Sequence, residues 1–161
     1  MKTALRALIV EDSQFDAQMM VSILRKGGYD VVFDRVETSE AMQAALTGKL
    51  WDIVLADYNL PEFNAPAALT LLQQSGLDLP FIIVSGGIGE DIAVASMKAG
   101  AHDYLMKGNL NRLAPAIERE LRYRLLWESS PDAVLLMDSE SHRAMLTIRS
   151  CLRALKLIFL V

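Results

Sequence analysis

The alternation of short apolar runs with amphipathic segments is what most constrains this chain. Five runs, at residues 5–10, 30–36, 52–56, 80–84 and 103–106, have the length of strands. The first, third and fourth are almost continuously apolar, as parallel strands covered on both faces require. Between them, apolar residues recur at three- and four-residue steps; in the first such segment they are Phe15, Met19, Met20, Ile23 and Leu24. That is the period of a helix with one buried face. Ser13 is placed to cap this helix and Gly27-Gly28 to stop it, while Thr38 or Ser39 caps a second that ends at Gly48. A third helix covers about 65–74 before Gly76, and a fourth about 89–99 before Gly100. Proline is tolerated only near a first turn, so Pro115 places the start of a fifth at Asn111 or Arg112. Alternating β and α units with short links predict an α/β fold, a five-stranded parallel doubly wound sheet flanked by helices with right-handed crossovers.

The bulk numbers narrow the function classes. A length of 161 residues suits one well-packed domain with some chain to spare. Hydrophobic content of 52% against 22% charge marks a folded chain rather than a disordered one. The net charge of −4 gives no global attraction to nucleic acid or anionic membrane, so no nucleic-acid partner is expected. Cys151 is the only cysteine, which rules out an internal disulfide and fits a reducing compartment. The N-terminal apolar run is broken by Arg6 and stopped by two acids, unlike a signal peptide. The terminal run LIFLV is far short of the roughly 20 residues that span a bilayer. A cytoplasmic protein without a membrane span is the expectation.

In an open α/β sheet, chemistry gathers at the carboxyl ends of the strands. The polar residues that fall there are Glu11 and Asp12 after the first strand, Asp57 after the third, Ser85 after the fourth and Lys107 at the end of the fifth. Each alone has an ordinary explanation as a helix cap, a solvated turn or a surface charge. Their joint occurrence is different. Three carboxylates converging on one edge repel each other and raise their own pKa values unless a cation neutralises them. A hard divalent ion is the natural partner, since Mg²⁺ takes one or two carboxylates, waters and a phosphoryl oxygen. A lysine and a hydroxyl aimed at the same place make sense if a transferring phosphoryl group sits there too. The nucleophile is then a carboxylate, and the intermediate an aspartyl phosphate.

The fragments IVEDS, VLADYNLP, IIVSGG and AHDYLMKG, in this order and spacing, resemble the receiver domain of two-component response regulators. The resemblance covers about residues 4–128 and implies the CheY-like, flavodoxin-like strand order 2-1-3-4-5. It implies that Asp57 is the phosphoacceptor, taking phosphate from a sensor histidine kinase or a phosphotransfer protein. Asp12 and Asp57 would bind Mg²⁺ (or Mn²⁺), with Glu11 assisting, often through water, and Asn59 giving its backbone carbonyl. Ser85 and Lys107 would each hold a phosphoryl oxygen, and Tyr104 would change rotamer as Ser85 moves. Such a domain catalyses its own phosphorylation and dephosphorylation without being a conventional enzyme. Phosphorylation would switch the face of the fourth helix, fifth strand and fifth helix, and a homodimer through that face or through the long fifth helix follows from the same resemblance. Two departures bear on the coupling between site and surface: Gly108 stands where receivers commonly carry a cis proline, and Gly86-Gly87 where a single alanine is usual. Both predict looser loops.

Two rival functions remain open on the residues. A haloacid-dehalogenase-type phosphatase also uses a strand-end aspartate with Mg²⁺, but wants an aspartate two residues later as general acid, where this chain has Asn59. A receiver-like scaffold without phosphate turnover would not need all five functional groups.

The fifth helix is longer than packing on a sheet requires, with an apolar stripe of Leu113, Ile117, Leu121 and Leu125 and charge pairs Glu118–Arg122 and Glu120–Arg124. It reads as a long surface helix, or as a signalling helix that joins another domain or pairs with a copy of itself. Beyond it, ESSPDAVLLMDSE resembles the start of a PAS sensory domain, with a strand at 133–137. The residues from 129 to 161 are then a linker and a PAS-like remnant, too short for the whole domain, which predicts a truncated or frame-altered C-terminus. His142 lacks the surroundings of a kinase phosphohistidine and reads as an exposed tail residue, and the segment 145–161 as one that packs on a core or a partner.

Overall fold

The computed structural model describes residues 2–61, 63–87 and 89–129, together with two strands at 134–137 and 144–147. The first strands and helices are β1 (Thr3–Val10), α1 (Gln14–Lys26), β2 (Tyr29–Val36), α2 (Ser39–Gly48) and β3 (Ile53–Asp57). They are followed by α3 (Ala65–Ser75), β4 (Phe81–Ser85), α4 (Glu90–Lys98), β5 (Asp103–Met106), a 3-10 helix (Lys107–Arg112) and α5 (Leu113–Ser129). The five strands form one parallel sheet in the order β2-β1-β3-β4-β5, as expected.

Alternate side chains of the strands serve opposite faces. Leu8, Val10, Val54, Ala56, Phe81 and Ile83 join Met42 and Leu46 of α2 and Leu69 and Leu72 of α3 in one buried cluster, against which Met97 of α4 packs. On the other side, α1 and the start of α5 lie so close that a Cβ on Gly27 would sit 2.6 Å from the Cβ of Ala114. Glycine there is a packing requirement, not a turn requirement, since its φ is −74°. The left-handed turn that ends α1 falls instead on Gly28, with φ of 96°.

The caps follow the sequence in most places. Ser13 Oγ accepts from the Asp16 N–H, and Thr38, rather than Ser39, accepts from the Ala41 N–H. Asn64 caps α3 by accepting from the Ala67 N–H at 3.0 Å. The start of α5 differs from expectation by one or two residues. Lys107–Arg112 winds as a 3-10 turn, broken at Asn109 (φ −137°, ψ 56°), and buries Leu110, so the α-helix begins only at Leu113. The expected loose connection after Lys107 is thus a compact turn pinned by an apolar side chain. Gly86 and Gly87 have no positive φ, and a Cβ on either would meet nothing within 4 Å.

The apolar stripe of α5 divides. Leu113 and Ile117 are fully buried, whereas Leu125 is 66% exposed. Two compact units are distinguished, Met1–Glu120 and Leu121–Val161. Within the second, β6 (Val134–Met137) and β7 (Ala144–Thr147) pair antiparallel, with Val134 opposite Thr147 and Met137 opposite Ala144. β6 agrees with the strand expected at 133–137. The expectations for His142, Cys151 and the segment beyond residue 147 fall outside the described residues.

Candidate functional site

Strand register brings the predicted residues together. Val10 pairs with Ala56, so Glu11 and Asp57 leave the sheet at the same level. Asp57 in turn pairs with Val84, and Ser85 with Met106, which sets Ser85 and Lys107 at the next two positions along that edge. Residues 11, 57, 85 and 107, distant in sequence, therefore arrive at one end of the sheet because four neighbouring strands stop together.

Lys107 is the hub. Its Nζ donates to Glu11 Oε2 and to Asp57 Oδ2, each at 2.8 Å, and also to Asp16 Oδ2. Burial of the ammonium lowers its pKa, but the bonds to Asp16, Asp57 and Glu11 outweigh this, and the net shift is upward. Glu11 is fully buried. Its carboxyl is pushed above the ordinary range by that burial, with bonds from Lys107 and the Ser13 N–H opposing the shift and the neighbouring Asp12 adding to it. Asp57 is 8% exposed and its Oδ1 accepts from the Asn59 N–H at 3.2 Å. Asp12 is exposed. Glu11, Asp12 and Asp57 offer carboxylate oxygens within 4.8 Å of one another.

With Asp16, four carboxylates face one ammonium, so the site carries an uncompensated negative charge. A span of this size suits the oxygen shell of one hard cation, about 4 Å across for Mg²⁺. Ser85 adds an independent mark. It is fully buried, and its Oγ has no hydrogen-bond partner, alone in that respect among the buried side chains of the described residues. A buried orphan hydroxyl costs about 1–3 kcal/mol. It is the kind of cost retained where a ligand oxygen is to be met.

Tyr104 pairs with Ile83, and Met106 with Ser85, so Tyr104 lies one pleat from Ser85 on the same sheet face. It is half-buried, packs against the core cluster, and donates its hydroxyl to Met106 Sδ at 3.8 Å. Glu11, Asp12, Asp57, Asn59, Ser85, Lys107 and Tyr104 thus lie at this edge or beside it.

Two participants were not singled out. Asp16 sits in the first turn of α1, where an acid is explained by the helix dipole alone. Arg35, at the end of β2, donates from Nη1 to the backbone carbonyls of Glu11 (2.8 Å) and Asp12 (2.9 Å) and pairs with Glu37 at 3.1 Å. Nothing in the local sequence signals either contact; only the sheet register does.

Carboxylates, a lysine and a buried hydroxyl gathered at one edge of a 2-1-3-4-5 parallel sheet mark the receiver class of doubly wound folds. The chain belongs to the response regulator receiver domain family, whose model matches residues 7–118. Among curated relatives, it is 32% identical over 108 residues to the transcriptional regulatory protein PrrA of Mycobacterium tuberculosis, covering 65% of this chain and 44% of that one. It is 30% identical over 102 residues to the chemotaxis protein CheY of Thermotoga maritima, covering 63% of this chain and 84% of the relative. Among solved structures, it resembles the N-terminal domain of a response regulator/sensory box/GGDEF three-domain protein from Carboxydothermus hydrogenoformans, with a TM-score of 0.64, 26% identity, and coverage of 76% and 98%. The chain spans less than half the length of PrrA and 26% of the regulatory protein ZraR of Salmonella typhimurium. No helix among the described residues is long and apolar enough to cross a membrane.

Proposed function

We propose that this chain is the phosphoacceptor of a two-component phosphorelay, and that Asp57 receives a phosphoryl group from a sensor histidine kinase or a phosphotransfer protein in the cytoplasm. The observation that carries the reading is the position of the Asp57 carboxylate, at the strand end and bonded to Lys107 within the acidic cluster. A carboxylate oxygen of Asp57 attacks phosphorus; the new O–P bond makes an acyl phosphate as the P–N bond to the donor histidine breaks and its electron pair stays on the imidazole. Lys107 exchanges a carboxylate for a phosphoryl oxygen, and the Ser85 hydroxyl gains the partner it lacks. Glu11, Asp12, Asp57 and the Asn59 backbone carbonyl are the groups that would hold Mg²⁺ or Mn²⁺, which supplies positive charge opposite the phosphoryl oxygens. Asn59 cannot serve as the general acid that a haloacid-dehalogenase-type phosphatase needs; its backbone N–H supports Asp57 instead.

The output follows from Ser85 and Tyr104. As Ser85 turns toward the phosphoryl oxygen, room beside it lets Tyr104 move inward, which biases the face formed by α4, β5 and α5. That face, or the exposed length of α5, would carry a homodimer. The strand at Val134–Met137 supports reading the segment after α5 as the start of a PAS-like sensory module. The related protein that joins a response regulator to a sensory box and GGDEF is a precedent for such an arrangement.

Acetyl phosphate tests the central step without the kinase. A phosphate-affinity gel should show a retarded band that requires Mg²⁺ and is absent in Asp57→Ala. A band that persists in that variant would remove Asp57 from the role.

A further inference from the structure

We propose that Arg35 is a positioning residue for the divalent cation: it fixes the backbone of Glu11 and Asp12 so that their carboxylates converge with that of Asp57. This rests on the metal reading given above. A single guanidinium nitrogen takes two consecutive carbonyls. Arg35 Nη1 donates to Glu11 O at 2.8 Å and Asp12 O at 2.9 Å, with Glu37 Oε2 at 3.1 Å completing its surroundings. The Glu11 N–H adds a third tie between this backbone and the end of β2, donating to Val36 O at 3.0 Å.

The two acids are held in different ways. Glu11 is also secured through its side chain, by Lys107 and the Ser13 N–H. The Asp12 side chain is exposed, so its direction depends on where the backbone at residue 12 points. That direction is set where the chain leaves β1 and turns into α1, and the Arg35 clamp lies on that turn. A charge-assisted bond from one rigid fork to neighbouring carbonyls is a strong and directional constraint.

Arg35 has a second, opposing influence. Its positive charge lies near the acidic cluster and by itself disfavours a bound cation, although Glu37 neutralises much of it. The two influences predict opposite results when the charge is removed, and this makes the proposal decidable. If positioning dominates, loss of Arg35 weakens cation binding. If charge dominates, the loss strengthens it.

The experiment measures Mg²⁺ affinity of the whole chain by isothermal titration calorimetry, with thermal melts in EDTA to establish that each variant folds. Arg35→Ala should bind Mg²⁺ about 10-fold more weakly than the native chain, the lower end of what removing a supporting partner of a metal ligand costs. Arg35→Lys should recover part of that loss, since an ammonium can still donate to a carbonyl. Arg35→Gln, which drops the charge and carries its amide donor on a shorter side chain, should also bind Mg²⁺ more weakly than the native chain. It also carries the test if Arg35→Ala fails to melt cooperatively. Native affinity in Arg35→Ala, or tighter binding in Arg35→Gln, overturns the proposal and leaves the metal site standing. A native chain that binds no Mg²⁺ overturns the metal reading and this inference with it.

Discussion

Replacing Lys107 by methionine keeps an apolar stem of similar length and deletes the ammonium, and it should destabilise the receiver in a pH-dependent way. In the native chain Nζ bonds Glu11 and Asp57 at 2.8 Å and also holds Asp16. Without it, the fully buried Glu11 keeps the Ser13 N–H at 3.0 Å and faces the charges of Asp12, Asp16 and Asp57. Removing one partner of a buried ion pair costs about 3–5 kcal/mol. The Lys107 side chain is 17% exposed and that of Asp16 25%, so solvent screening favours the lower end, about 3 kcal/mol at neutral pH in EDTA.

The sign of the pH dependence comes from Glu11. Burial already raises its pKa while Lys107 pulls it back, so deleting Lys107 raises it further. A carboxyl whose folded pKa stands above its unfolded value binds its proton more readily when folded. Stability linked to it is therefore present at low pH and lost as pH rises through the raised value. The penalty of Lys107→Met should be full near pH 7 and shrink as pH falls toward about 5. Urea unfolding of both proteins, followed by far-UV circular dichroism in EDTA at the two pH values, measures it. A penalty equal at both, or none at either, would refute the claim that Glu11 is the charge left uncompensated.

Other substitutions separate site from scaffold. Ser85→Ala removes a buried hydroxyl that has no partner, so it should raise stability by about 1 kcal/mol in urea unfolding while slowing modification by acetyl phosphate. Gly27→Ala would drive a Cβ to 2.6 Å from that of Ala114, and the forced shift of α1 against α5 should cost about 1–3 kcal/mol in a thermal melt. Leu113→Ala, at a fully buried position, should cost about 2–5 kcal/mol, whereas Leu125→Ala, at 66% exposure, should stay within about 0.5 kcal/mol in the monomer. A comparable loss at Leu125 in concentrated protein only would point to pairing through α5.

The sheet was legible because its signals are local. Runs such as DIVLAD are apolar on both faces and bounded by turn residues, and the caps at Ser13 and Thr38 act on N–H groups three residues away. Legibility fails where a residue's role depends on a distant partner. Arg35 reads as one charge on an edge strand until β1 is laid beside β2. Asp16 reads as a helix-dipole acid until Lys107 arrives from the far end of the sheet. The start of α5 departs from the sequence pattern for a related reason. Pro115 limits where a helix can begin but says nothing about the burial of Leu110, which tightens the preceding six residues into a 3-10 turn. The stripe in α5 was correctly periodic, yet periodicity alone does not distinguish Leu113 in the core from Leu125 at the surface.

The most direct measurement is chemical localisation of the phosphoryl group. The chain is treated with acetyl phosphate and Mg²⁺, reduced with borohydride so that an aspartyl phosphate becomes homoserine, and digested for tandem mass spectrometry. Homoserine is expected at Asp57, dependent on Mg²⁺ and on Lys107. Homoserine at Asp12, or no acyl phosphate anywhere in a chain that remains folded and binds Mg²⁺, would contradict it.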